Sequence, residues 1–130
     1  MLIVEDDAET RELLQAIVSN TGAEAITAAS VRDAVGVFET RRPDLIVSDI
    51  GMPREDGYSL IRKIRSRAPA DGGLTPAVAL TAHTRADDRN RSLRAGFQSH
   101  LAKPVDPAEL VAVVRSLVGG TDTPREAALT

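Results

Sequence analysis

The stretch Leu45-Ile46-Val47-Ser48-Asp49-Ile50-Gly51-Met52-Pro53 sets the reading of this chain. Leu45 to Val47 form a short aliphatic run that ends in one carboxylate and a turn. A run of that length, rich in β-branching, reads as a strand buried on both faces, as in a parallel sheet. Asp49 then falls at the C-terminal end of the strand, on the rim where open α/β sheets bind ligands. Pro53 holds Met52 in an extended conformation, so a helix does not start at once.

Upstream, Met1-Leu2-Ile3-Val4 is a second apolar run, and it ends in Glu5-Asp6-Asp7. The chain begins inside this strand, which fits a domain cut from a longer protein. Thr10 to Asn20 places Leu13, Leu14, Ile17 and Val18 on one helical face, with Gly22 as the stop. Glu24 to Ala28 is a weaker strand. Ser30 is the N-cap candidate for a helix reaching about Arg41 that buries Ala34, Val35 and Phe38. Downstream, Gly57 to Ala68 carries the helical stripe Leu60, Ile61 and Ile64, and the Pro- and Gly-rich segment Pro69 to Pro76 reads as loop. Ala77 to Leu80 is a fourth strand ending at Thr81. Thr84 to Ala95 is a polar, Arg-rich helix closed by Gly96, and Phe97 to Ala102 is a fifth strand ending at Lys103-Pro104. Asp106 caps a last helix that starts at Pro107, buries Leu110, Val113, Val114 and Leu117, and closes at Gly119-Gly120. Strands alternating with helices predict an α/β domain, residues 1–120, with a parallel sheet covered on both faces. Residues 121–130 read as a tail or linker.

Composition removes several functional classes. At 130 residues the chain has the length of one domain. Aromatic residues are only 2% and the formal charge is −3, which argues against base stacking and against an electrostatic nucleic-acid footprint. There is no cysteine, so a disulfide framework, a thiolate zinc site and a thiol nucleophile are all excluded. Neither a membrane-length apolar run nor a signal-peptide pattern is present, and a cytoplasmic location fits.

In a parallel sheet all C-terminal strand ends share one rim. Glu5 and Asp6, Asp49, Thr81 and Lys103 therefore converge. Three clustered carboxylates are costly unless a cation or a proton compensates them. Hard oxygen ligands without His or Cys suit Mg²⁺ (or Mn²⁺). With the Lys103 ammonium and the Thr81 hydroxyl beside Asp49, the set suits phosphoryl transfer onto a carboxylate.

At these residues the chain resembles the receiver domains of bacterial two-component response regulators. The matching pieces are Leu2-Ile3-Val4-Glu5-Asp6-Asp7, Ile46 to Pro53 with Asp56-Gly57, Ala79-Leu80-Thr81-Ala82, and Ala95-Gly96 leading to Lys103-Pro104. The resemblance implies a doubly wound, flavodoxin-like sheet of five parallel strands in the order 2-1-3-4-5. It implies Asp49 as phospho-acceptor. Asp6, Asp49 and the Gly51 carbonyl would be metal ligands, with Glu5 acting through water. Lys103 would lie on a phosphoryl oxygen, with Pro104 after a cis peptide. Thr81 would be the switch hydroxyl coupled to the fourth helix, fifth strand and fifth helix. Two positions depart from the pattern. Gly51 stands where many relatives carry a polar side chain that orients water. His100 stands where the family usually has Tyr or Phe, so it is either a switch residue, whose imidazole would make the coupling pH-sensitive, or a filler. The implied partner is a histidine kinase or a histidine phosphotransfer domain, with a homodimer through the same switch surface as a further option. No direct contact with nucleic acid or membrane is implied. The segment Phe97 to Asp106 resembles receivers at the C-terminus of hybrid sensor histidine kinases, and a stand-alone regulator is the alternative parent.

Plainer readings compete. Glu5-Asp6-Asp7 is also what a solvated acidic turn looks like, and helix capping accounts for Asp7 without a role in the site. His83 reads as a surface loop residue. The Arg85 to Arg94 run reads as a solvated helix face. Rival functions are an Mg²⁺-dependent aspartyl phosphatase of the haloacid dehalogenase type, a nucleotide-binding module, and a receiver-like interaction domain that is never phosphorylated. The phosphatase needs a second Asp two residues after the first, where Gly51 stands. The nucleotide module needs a glycine-rich loop after the first strand, where Glu5-Asp6-Asp7 stands.

Overall fold

The computed structural model describes residues 1–52, 54–82 and 86–118, the side chains of 86–88 excepted. Pro53, His83, the Thr84 helix start, the Gly119-Gly120 stop and the tail lie outside the described residues. The elements alternate throughout: β1 (Leu2–Val4), α1 (Ala8–Ser19), β2 (Ile26–Ala28), α2 (Val31–Arg41), β3 (Ile46–Asp49), α3 (Gly57–Arg65), a short 3-10 turn (Pro69–Asp71), β4 (Ala77–Thr81), α4 (Ala86–Ala95), β5 (Ser99–Ala102) and α5 (Pro107–Val118). All strand pairs are parallel, in the order β2-β1-β3-β4-β5. This is the expected doubly wound, flavodoxin-like arrangement.

Strand alternation divides the core in two. Leu2, Val4, Ile46, Ala77 and Ala79 face α2 and α3 and pack with Val31, Ala34, Phe38, Leu60, Ile61 and Ile64. Ile3, Val47, Val78 and Leu80 face the other way, onto Leu14, Ile17 and Val18 of α1 and Leu110 and Val114 of α5. β3 sits centrally, and all four of its residues are buried. Each fully buried aliphatic side chain contributes roughly 1.5–3 kcal/mol. With hardly any aromatics, the core depends on many such contributions.

Local chemistry places the helix starts. Asp7, Ser30 and Asp56 each occupy an N-cap in extended conformation and accept a hydrogen bond from the backbone N–H three residues on. At the other end of α3, the predicted run to Ala68 is too long: the helix stops at Arg65. Ala68 is extended (φ −61°, ψ 152°), as the residue before Pro69 must tend to be. β2 begins at Ile26 rather than Glu24, and β5 at Ser99 rather than Phe97. Phe97 is buried instead as the apolar plug of the turn after α4. The larger correction is Leu13, expected in the core and found 53% exposed. It sits at the edge of the α1 stripe, beyond the reach of the sheet. Val35, Val113 and Leu117 are likewise only partly buried.

Two helices on the α3 side are tied by side chains. The Tyr58 hydroxyl lies 3.4 Å from Ser92 Oγ, and the Arg91 guanidinium stacks 4.2 Å over the Tyr58 ring. Arg65 spans from α3 to the Gly96 carbonyl (2.8 and 3.0 Å) and the Gly73 carbonyl (3.0 Å).

Phe38 is wholly buried, under Arg67, whose guanidinium lies 5.3 Å from the ring centroid. Truncation to Ala is expected to destabilise the domain by about 3–5 kcal/mol, since the cavity lies between two layers that cannot both collapse. Urea unfolding of wild type and Phe38→Ala, compared at equal m-value, checks it.

Candidate functional site

The site is assembled by strand ends. β1 runs out at Val4, so Glu5 and Asp6 lie on the link into α1. Glu5 is completely buried and Asp6 is exposed. β3 ends in Asp49, which is 5% exposed. One oxygen from each of Glu5, Asp6 and Asp49 can be chosen so that all three lie within 4.8 Å of one another. A parallel sheet makes this convergence unavoidable once the three residues follow neighbouring strands.

Lys103 holds the cluster together. Its backbone N–H donates to the Thr81 carbonyl at 2.9 Å, which extends the β4–β5 ladder by one bond and delivers the side chain to the rim. Its Nζ lies 2.8 Å from Glu5 Oε1 and 3.2 Å from Asp49 Oδ2, bridging the two buried carboxylates. Burial pushes the Glu5 carboxyl up, and the neighbouring Asp49 charge adds to this; the hydrogen bonds from Lys103 and the Asp7 N–H offset part of it, and the net shift is upward. Burial also works against the Lys103 ammonium, but the two carboxylates outweigh it, and its pKa is raised. The Lys103–Pro104 peptide is cis, as the resemblance implied.

The remaining polar positions are held by backbone. The Gly51 N–H donates to Asp49 Oδ1 at 3.3 Å. Gly51 is exposed, and a Cβ added there meets nothing within 4 Å. Gly57 is the reverse: its N–H donates to the Ile50 carbonyl at 3.0 Å, and a Cβ would lie 2.5 Å from the Asp49 carbonyl oxygen. Thr81, at the end of β4, is 5% exposed. His100 pairs with Ala79 in register, so the alternation puts Thr81 and His100 on one face of the sheet. Asp7 stands apart from the cluster chemistry as a helix cap: it accepts from the Thr10 N–H at 2.9 Å and the Thr10 hydroxyl at 2.6 Å, and these bonds hold its carboxyl below the usual range.

The structure thus gathers Glu5, Asp6, Asp49 and Lys103 within ion-pair or ligand-sharing distance, with Gly51 hydrogen-bonded to Asp49 and Thr81 bonded through its backbone to Lys103. His100 is one strand further away. Arg11 escaped the sequence reading. Its guanidinium donates to the main-chain carbonyls of Glu5 (3.0 Å) and Asp6 (3.4 Å). The available signal was a cation in the first turn of a helix, where the dipole disfavours it.

The response regulator receiver domain family model matches residues 1–115. The chain belongs to that family. This receiver domain is 42% identical over 115 residues to an uncharacterised 14.6 kDa protein from the sodA1 3′ region of Leptolyngbya boryana, covering 88% of this chain and 86% of that protein. It is 36% identical to hybrid signal transduction histidine kinase D of Dictyostelium discoideum, over 91% of this chain but 8% of the kinase. A putative response regulator from Chloroflexus aurantiacus superimposes with a TM-score of 0.85 at 31% identity, covering 91% of this chain and 95% of the other. The receiver domain spans about half the length of several other curated relatives. Among the described residues no helix is long and apolar enough to cross a membrane.

Because the folded-state pKa of Glu5 lies above its ordinary 4.5, its contribution to stability is fully present below that value. It is lost as pH rises through the raised folded value. Glu5→Gln cannot titrate. In metal-free buffer the stability of wild type relative to Glu5→Gln is therefore expected to fall as pH rises from 4.5 toward neutrality, as thermal melts across that range will show.

Proposed function

We propose that this receiver domain accepts a phosphoryl group on Asp49 from a phosphohistidine, in a phosphorelay. The observation that carries the reading is the bridged cluster: three carboxylates drawn together at the sheet rim, with one ammonium 3.2 Å from the proposed nucleophile. A solvated acidic turn would not bury Glu5 completely or place Lys103 between Glu5 and Asp49.

The donor set fits Mg²⁺ (or Mn²⁺): oxygen ligands only, one carboxylate exposed to solvent and two drawn in beside it. Asp6, Asp49 and the Gly51 carbonyl would hold the ion directly, and Glu5 would act through water. Bound there, the ion would supply charge neutralisation for phosphoryl oxygens. The chain's own residues do the rest. An Asp49 carboxylate oxygen attacks phosphorus; the P–N bond to the donor imidazole breaks, its electron pair stays on nitrogen, and that nitrogen takes up a proton. Lys103 follows the phosphoryl oxygens, and the Thr81 hydroxyl donates to one of them. His100, on the same sheet face as Thr81, is the candidate partner in the resulting shift of α4, β5 and α5, the surface also open to a homodimer contact. The domain turns over no substrate of its own and is not an enzyme in that sense.

The donor is a histidine kinase or a histidine phosphotransfer domain. A largely apolar groove lined by Thr10, Leu13, Leu14, Lys103, Pro104 and Val105 offers the donor a seat beside Lys103. For the parent protein, a hybrid histidine kinase with this receiver at its C-terminus is the preferred reading, and a hybrid kinase is among the relatives. Likeness to a 14.6 kDa relative keeps a stand-alone regulator as the alternative. A cytoplasmic location follows from that role. Residues 121–130 are proposed as a tail or linker.

Asp49→Asn keeps the shape of the acceptor and removes the nucleophile. It is expected to abolish labelling by acetyl phosphate; labelling equal to wild type would sink the assignment. Asp6→Ala is expected to remove both Mg²⁺ binding and labelling while leaving a folded domain. Its metal-free stability should be equal or higher, since one charge leaves a like-charge cluster. Mg²⁺ titration followed by NMR shifts around Asp49, with thermal melts in parallel, checks both parts.

A further inference from the structure

Arg11 occupies the first turn of α1, with its N–H on the Asp7 carbonyl at 2.9 Å. A cation at that end of a helix opposes the macrodipole, so its position needs another cause. The side chain folds back over the N-terminus of its own helix. Nη1 donates to the Glu5 carbonyl at 3.0 Å and, more weakly, to the Asp6 carbonyl at 3.4 Å. These are the main-chain oxygens of the acidic pair. The Glu5 carboxylate is engaged elsewhere, by Lys103 on Oε1 and the Asp7 N–H on Oε2.

We propose that Arg11 is a positioning residue for the metal-binding turn: it pins the peptide groups of Glu5 and Asp6 so that one carboxylate is held inward and the other stays open to a cation. The inference rests on the Mg²⁺ reading given above. A guanidinium paired with the carboxylates themselves would compete with the ion. On the carbonyl oxygens it fixes the backbone that aims the ligands and leaves the carboxylate oxygens to the ion, much as outer partners orient ligands in metal sites generally. Asp7 works from the other side of the same turn, capping α1 through Thr10. The link that carries both acidic residues is thus fastened at both ends.

Pinning and charge act in opposite directions, which makes the proposal testable. Removing a positive charge near a dication site strengthens binding if the field dominates; removing a pin weakens it. Mg²⁺ affinity is to be measured by calorimetry on wild type, Arg11→Ala, Arg11→Gln and Arg11→Lys, alongside metal-free melting temperatures. The expected result is an Mg²⁺ Kd about tenfold weaker in Arg11→Ala, with part of the loss recovered by Gln or Lys, each of which can still donate to a carbonyl. Tighter Mg²⁺ binding by Arg11→Ala, or an unchanged Kd with only a lower melting temperature, overturns it. If Arg11→Ala fails to fold, the Gln and Lys variants decide: Kd values equal to wild type in both overturn the proposal. A wild type that binds no Mg²⁺ fails the functional reading first, and the Arg11 role with it.

Discussion

The interaction on which the rest depends is the bridge from Lys103 to two buried carboxylates. Taking Glu5 and Asp49 out of water is expensive, and one ammonium between them offsets only part of that cost. The upward shift of Glu5 is the visible remainder. The fold keeps this arrangement because each member is fixed by backbone it cannot leave: Glu5 by the end of β1, Asp49 by the end of the central strand, Lys103 by a ladder hydrogen bond to Thr81. The residual excess of negative charge, with exposed Asp6 alongside, is what the proposed binding of a dication rests on.

The aliphatic core serves that rim. With hardly any aromatic side chains, packing rests on alternating Leu, Ile, Val and Ala along short strands, and β3 is buried throughout. A short, fully buried central strand cannot slip, because any shift in register would move apolar residues out of both cores at once. The precision of Asp49 is thus inherited from Ile46 and Val47.

How much was legible in the sequence follows from which forces are local. Leu45 to Asp49 could be read because a buried parallel strand is apolar on both faces and stops at a single carboxylate. Ser30, and Asp106 with its Oδ1 accepting from the Ala108 N–H at 3.3 Å, could be read because capping is a short-range hydrogen bond. Leu13 was misread because helical periodicity says which residues share a stripe but not how wide a stripe the neighbouring layer covers. The end of α3 was overrun because Pro69 acts on the residue before it, a restraint that an apolar count ignores. The Lys103–Glu5 pair was invisible for another reason. The residues lie 98 positions apart, and nothing in either neighbourhood states that a lysine assigned to a phosphoryl oxygen also neutralises a buried glutamate. Arg11 was missed because its target is main-chain oxygen, which carries no sequence signature.

The close seat of Gly57 against the Asp49 carbonyl has a mechanical corollary. With no room for even one methyl group between them, the main chain at Asp49 has a wall behind it and little freedom to retreat when its side chain gains bulk. Under the proposed function, accommodation would fall to the other side of the pocket, to the hydroxyl-bearing end of β4 and the strand beside it. On the proposed phosphorylation of Asp49, the rigidity of this one glycine contact would give the response its direction.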